Sequence, residues 1–209
     1  MNMKILIIFT ILFVILVSLS LFFIFKDTSE LPSKQIYGAG FTYYDIEKIK
    51  TSLAEQNIFI STPVAITDHT ISQYCTFFDG NVQKTPQYCT TTVILDSEGN
   101  TLGNINIGGD TVSPILAIAN LETSSLDSKQ DEVYTVFQVM IETLVCDCWE
   151  DKKSEDFESI SAWLDAAQAF YTIEQRDIKS NIDGLGEYQL ILEITSKKDS
   201  ILQTLLILK

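Results

Sequence analysis

The residues from Ile5 to Phe25 read ILIIFTILFVILVSLSLFFIF, with no charge and only Thr10, Ser18 and Ser20 as polar interruptions. As a helix rising about 1.5 Å per residue, the run spans about 31 Å, close to the hydrocarbon thickness of a bilayer. No comparable run follows. The chain is therefore expected to be a folded body tied to a membrane by one N-terminal span. A cleaved signal peptide is the alternative. Ser18-Leu19-Ser20 offers a small-x-small site, but the apolar run continues past it to Phe25, which favours a retained anchor. The first cysteine is Cys75, which excludes a lipid-modified cysteine near the run. Lys4 precedes the run while Lys26 and Lys34 follow it, so lysine bias is slight. The short basic tail before an early apolar segment argues for a cytoplasmic N-terminus. The expected organisation is a signal-anchor over 1–25, a linker over 26–40 and an extracytoplasmic domain over 41–209. A sub-division of that domain near 110–130 is the alternative. The expected location is the cell membrane, single-pass, with the bulk of the chain extracytoplasmic.

The chain has 14 basic and 28 acidic residues and a net charge of −14. Setting aside Lys4 with the anchor leaves the body at −15. Such acidity repels nucleic acid and anionic lipid, so neither is an expected partner. The apolar content of 46% is too high for a disordered chain. No Asn-x-Ser/Thr sequon occurs.

Local patterns divide the body into elements. Thr42 followed by Asp45 has the spacing of a capping box, and Ile46, Ile49 and Leu53 recur on one helical face before Asn57 stops it. Ile58 to Ile60 reads as a short strand. Ile71 to Phe78 and Tyr88 to Leu95 read as a hairpin, with Ile71, Cys75, Phe77, Cys89, Val93 and Leu95 on one face. Asp96 to Asn100 is a turn, and Thr101 to Ile107 a third strand. Ser113-Pro114 is placed to open a short helix reaching Leu121. Val133, Val136, Phe137, Met140, Ile141, Leu144, Val145 and Cys148 form a stripe that predicts a helix from Ser128 to Trp149. A second helix is predicted from Glu155 to Tyr171, with Ser154 as its N-cap and Phe157, Ile160, Trp163, Leu164, Ala167, Phe170 and Tyr171 on its apolar face. A weak strand over Thr172 to Lys179 precedes a turn at Asp183–Gly186. Tyr188 to Thr195 and Ile201 to Leu208 close the chain as strands. Consecutive strands joined by tight turns indicate an α+β fold. The expected body is an antiparallel sheet, built from two hairpin or meander regions, packed with two or three helices.

Four cysteines and one histidine bound the chemistry. A hairpin register pairing Phe77 with Gln87 sets Cys75 opposite Cys89, within disulfide reach, and an oxidising compartment favours that bridge. Cys146-Asp147-Cys148 would put its sulfurs about 200° apart on a helix, so the two cannot bridge unless the helix end unwinds. A redox dithiol usually shows C-x-x-C at a helix N-terminus, which lowers the thiol pKa. A zinc or copper site would have to recruit His69 to Cys146 and Cys148. The acids Glu142, Asp147, Glu150, Asp151, Glu155, Asp156 and Glu158 lack the spacing of a calcium loop and read as a solvated face beside Lys152 and Lys153. No Walker loop, dinucleotide fingerprint or nucleophile elbow occurs.

The segment VILDSEGNTLGNI, from Val93 to Ile105, resembles the strand–turn–strand of extracytoplasmic sensor domains of the Cache and PAS type. Those families place signalling modules on the cytoplasmic side, where only Met1 to Lys4 is expected here. The combined expectation is a membrane-anchored accessory or interaction domain without catalytic activity or cofactor, acting on a protein partner. The alternative is a thiol-redox or metal-handling protein using Cys146 and Cys148.

Overall fold

The computed structural model describes residues 40–67, 69–79, 82–146, 149 and 157–209. The apolar run Ile5–Phe25 lies outside these residues. Among the described residues no helix is long and apolar enough to cross a membrane. Gly40–Lys209 forms one compact α+β unit. Its helices are α1 (Asp45–Ala54), α2 (Ile71–Tyr74), α3 (Gln130–Leu144) and α4 (Ile160–Glu174). Its strands are β1 (Phe59–Ile60), β2 (Val64–Ala65), β3 (Phe77–Asp79), β4 (Val82–Lys84), β5 (Tyr88–Leu95), β6 (Thr101–Gly109), β7 (Pro114–Thr123), β8 (Ile178–Leu185), β9 (Tyr188–Ser196) and β10 (Ile201–Leu208).

Eight strands build one antiparallel sheet in the order β1-β5-β6-β7-β10-β9-β8, with β2 also pairing on β5. Strands β3 and β4 form a separate ribbon. The sheet is two three-stranded meanders, β5-β6-β7 and β8-β9-β10, joined where β7 pairs β10 from Thr123↔Ile201 to Leu116↔Leu208. The helical segment lies between the meanders in sequence, so its helices pack on one face while the strands close edge to edge. Gly103 lies where β6 and β7 come closest. A Cβ there would stand 1.9 Å from the carbonyl oxygen of Asn120, so this position admits only glycine.

The helix-side core takes Ile49 and Leu53 from α1, Val133, Phe137 and Met140 from α3, Trp163 and Leu164 from α4, and Ile105, Leu192, Leu205 and Ile207 from the sheet. The Thr42–Asp45 spacing forms only half of the expected box: Asp45 Oδ2 accepts the Thr42 backbone N–H at 2.6 Å, but the helix is capped at Tyr44 and the Thr42 hydroxyl donates to the same Asp45 oxygen. Asn57 ends the segment in the left-handed region, at φ 59°. Ser159 caps α4 by accepting the Ala162 N–H at 3.0 Å. The predicted cap Ser154 lies outside the described residues. Trp163 donates its indole N–H to Ser180 Oγ at 2.8 Å and stacks on Trp149. Gln130, Gln168 and Gln203 relay side-chain hydrogen bonds from α3 through α4 to β10.

The structure overturns four local expectations. The segment from Pro114 to Leu121 is not a helix but the central strand β7, buried on both faces from Leu116 to Ala119. Such a strand loses the alternation of a half-exposed one and reads as a plain apolar run. Residues 71–78 are not one strand but the single turn α2 followed by β3. Helix α3 stops at Leu144, where Val145 turns away and the Cys146 N–H reaches back to the Ile141 carbonyl. Thr172 belongs to α4, and the following strand begins only at Ile178.

The turn between β5 and β6 is tied to the start of α3. Asp96 accepts the backbone N–H groups of Glu98 and Asn100 at 2.9 and 2.8 Å, and its other oxygen meets Lys129 Nζ in an ion pair. Its side chain is almost fully buried, at 1% exposure. The Lys129 ammonium and these N–H groups hold the carboxyl at about 2. A lowered native pKa means that the unfolded state binds more protons below the unfolded carboxylate value of about 4. The contribution is therefore complete above that value and lost as pH falls toward 2. Urea midpoints at about pH 6 and about pH 3 test this. The wild type should lose more on acidification than Asp96→Asn. Equal losses would show that another carboxylate governs acid sensitivity.

Candidate functional site

The sheet's second face is covered only in part. Facing away from the helices, its rows can be read from the registers. One row is Cys89, Gly108, Leu116 and Leu208; the next is Asn106, Ile118, Leu206 and Ile191. Helix α2 and the β3–β4 ribbon lie over these rows as a flap. Ile71, Cys75 and Phe77 from the flap pack with Cys89, Leu116 and Ile118 in a second, smaller core.

The flap is pinned by a disulfide between Cys75 and Cys89, with Cα atoms 6.4 Å apart. The expected pair forms, but not across the expected hairpin. Phe77 pairs with Lys84 rather than Gln87, and β5 pairs with β6. Cys75 closes the α2 turn, and its sulfur reaches down onto the sheet. Gly108, opposite Cys89, leaves it room, since a Cβ there would stand 3.2 Å from the Cys75 sulfur.

The third row is polar and crosses five strands. Asn104, Asn120, Thr204, Glu193 and Lys179 are successive register partners on β6, β7, β10, β9 and β8. Asn120 Nδ2 donates to Asn104 Oδ1 at 3.2 Å, Thr204 Oγ1 donates to Asn120 Oδ1 at 3.0 Å, and Lys179 pairs with Glu193 at 2.9 Å. Asn106 donates to the same Asn104 oxygen at 3.0 Å, but its own carbonyl oxygen is buried without a partner among the described residues. Beyond the row, Glu122 accepts from Lys197 and Ser200, and the Ser200 and Lys197 hydrogen bonds hold its carboxyl below the usual range.

Three cavities surround the flap. One of about 260 Å³ lies between Tyr74 and Phe78 above and Asn120, Thr204 and Glu193 below. One of about 520 Å³ runs from Tyr74 over Asn104 and Asn120 to Glu122 and Lys197. One of about 560 Å³ lies between Phe78 and Lys84 on the flap and Tyr188, Leu208 and Lys209 on the sheet. Tyr74 and Phe78 are 39% and 55% exposed at the flap's edge, so the groove presents aromatic rings on one wall. Hydrogen-bonding side chains line the other. At its floor Glu193 pairs with Lys179 and Glu122 with Lys197, and Asn104, Asn120 and Thr204 offer amides and a hydroxyl beside them.

The remaining sequence candidates do not join this groove. His69 sits in an exposed turn before α2. Cys146 lies beyond the end of α3 and is disulfide-bonded. Its partner lies outside the described residues, and the helical-face argument for the pair no longer applies. Among the described residues no group of three or more His, Cys, Asp and Glu side chains is placed to hold a metal ion. The polar row was not anticipated. Its members come from strands up to a hundred positions apart, and register alone assembles them. No family model, no curated protein and no solved structure matches this chain.

Proposed function

We propose that this chain is a membrane-tethered extracytoplasmic interaction domain without catalytic activity, and that its protein partner docks over the groove beside the flap. The observation that carries the reading is the open sheet face: a polar row of side chains bordered by the exposed rings of Tyr74 and Phe78. Aromatic anchors beside satisfied polar groups are what protein interfaces use for affinity and orientation. The Ile5–Phe25 run supplies the tether, and the Cys75–Cys89 bond suits an oxidising compartment.

Photocrosslinking in native membranes tests it. A benzophenone side chain placed at Tyr74 or Phe78 should capture one recurrent protein. The same probe at Gln138, exposed on α3, should not. Capture at neither groove position, or equal capture at all three, overturns the reading. Protease added to intact cells should digest the body from outside. The rival reading, a thiol-redox or metal-handling protein, draws on the disulfide state of Cys146. It predicts bound metal or dithiol exchange that disappears when Cys146 and Cys148 become serine without unfolding.

A further inference from the structure

The eight-stranded sheet has one closed edge and one open edge. At the closed edge β1 and β2 line β5, and the Ser61 and Ile66 N–H groups donate to the Val93 and Cys89 carbonyls. At the other edge β8 has β9 as its only strand partner among the described residues. An open edge presents a row of backbone N–H and C=O groups to any strand that can match it. The two faces of β8 differ. On the helix side Ile178 and Ile182 are buried, and Ser180 accepts the Trp163 indole N–H. On the groove side Lys179, Asn181 and Asp183 are exposed. Lys179 pairs with Glu193, and Asp183 accepts from Gln189 Nε2 at 2.8 Å. Asp183 is the last residue before Gly184, whose φ of 88° falls in the irregularity between Ile182 and Leu185.

We infer that β8 pairs antiparallel with the β8 of a second copy of this chain, about a twofold axis at Asn181. A strand points the N–H and C=O groups of alternate residues toward opposite neighbours. A strand meeting its own copy therefore pairs odd residues with odd and even with even. Charge chooses among the registers that remain. Centred on Ser180, Lys179 faces Asn181. Centred on Ile182, Lys179 faces Leu185, beyond the irregularity. Centred on Asn181, Lys179 faces Asp183 of the second copy, and symmetry supplies the same pair again. Opposite charges directly across an antiparallel pair stabilise it, and like charges destabilise it. Such a contact uses the same patch on both copies, as a twofold interface must. The body's charge of −15 opposes approach. Screening confines that repulsion to about 8 Å at physiological ionic strength, and at the edge itself opposite charges meet. In the dimer the polar row that ends at Lys179 runs on into the second copy.

No described cysteine is a free thiol, so an introduced one reports by itself. The test uses the full chain in intact cells oxidised with copper phenanthroline. Asn181→Cys should give a disulfide-linked species of twice the chain mass. Residues facing each other across the axis have Cα atoms about 4.5–5.5 Å apart, within disulfide range. Asp183→Cys should give none, because its two copies stand four residues apart along the strands, about 13 Å. Adding Lys179→Asp to Asn181→Cys should remove most of the cross-link, and adding Asp183→Lys as well should restore it. The dimer is overturned if Asn181→Cys stays monomeric, if Asp183→Cys cross-links equally, or if either charge change departs from this pattern. An adduct of another mass also overturns it, since the edge would then belong to a different chain.

Discussion

Replacing Phe137 with alanine is expected to cost about 3–5 kcal/mol of folding stability. The ring is fully buried, at the centre of the α3 stripe in the helix-side core. Interior packing is dense enough that the neighbours cannot fully collapse onto the space left behind, so a cavity adds to the lost transfer free energy. Leu144→Ala, at 3% exposure near the helix end, should cost about 2–5 kcal/mol. Phe170→Ala is the control. Its ring sits on α4 at 47% exposure, so the change should stay within about 0.5 kcal/mol. Urea titration gives all three as shifts in midpoint at constant slope. A small effect at Phe137 would mean that α3 does not pack its stripe on the sheet.

Changing Cys75 and Cys89 together to serine should cost about 2–5 kcal/mol, with loop-closure entropy for a loop of this size accounting for about 3 kcal/mol. The bridged residues are fourteen positions apart. The loss should be local before it is global. The flap holds to the sheet through a small core around Ile71, Phe77, Leu116 and Ile118, while the strands are secured by the larger core on the other face. Hydrogen exchange should therefore quicken first in residues 71–84 and leave β6 and β7 protected. Uniform quickening across the sheet would show that the bridge supports the whole body. Peptide mapping without reductant should yield a cross-linked fragment containing both cysteines. Recovery of both as alkylated free thiols would remove the pin altogether.

Much of the α+β fold was legible where the signal was local. The range Tyr88 to Leu95 and the turn at Asp96 to Asn100 follow from alternation and turn chemistry confined to a few residues, and both stand in the structure. The α3 stripe from Val133 to Leu144 was visible for the same reason, since helical spacing fixes a face without reference to the rest of the chain. The cysteine pair was named correctly from a wrong hairpin, because two buried cysteines from neighbouring segments meet by more than one route. Alternation in β5 misled in one respect. It placed Val93 on a buried face, yet the odd positions of that strand face the groove and Val93 is 39% exposed, while Thr92 and Ile94 enter the helix-side core.

By itself, the sequence determined which segments have the capacity for helix or strand, because backbone period, capping and turn chemistry act over a few residues. Only the tertiary structure decided what those segments meet. Pro114–Thr123 became a strand because β6 and β10 flank it and satisfy its backbone on both sides. Ile71–Tyr74, Phe77–Asp79 and Val82–Lys84 became a flap because a sulfur on the sheet and a glycine opposite it made room for Cys75. The row from Asn104 to Lys179 exists only through the pairing of five strands, and no local rule links residues that far apart.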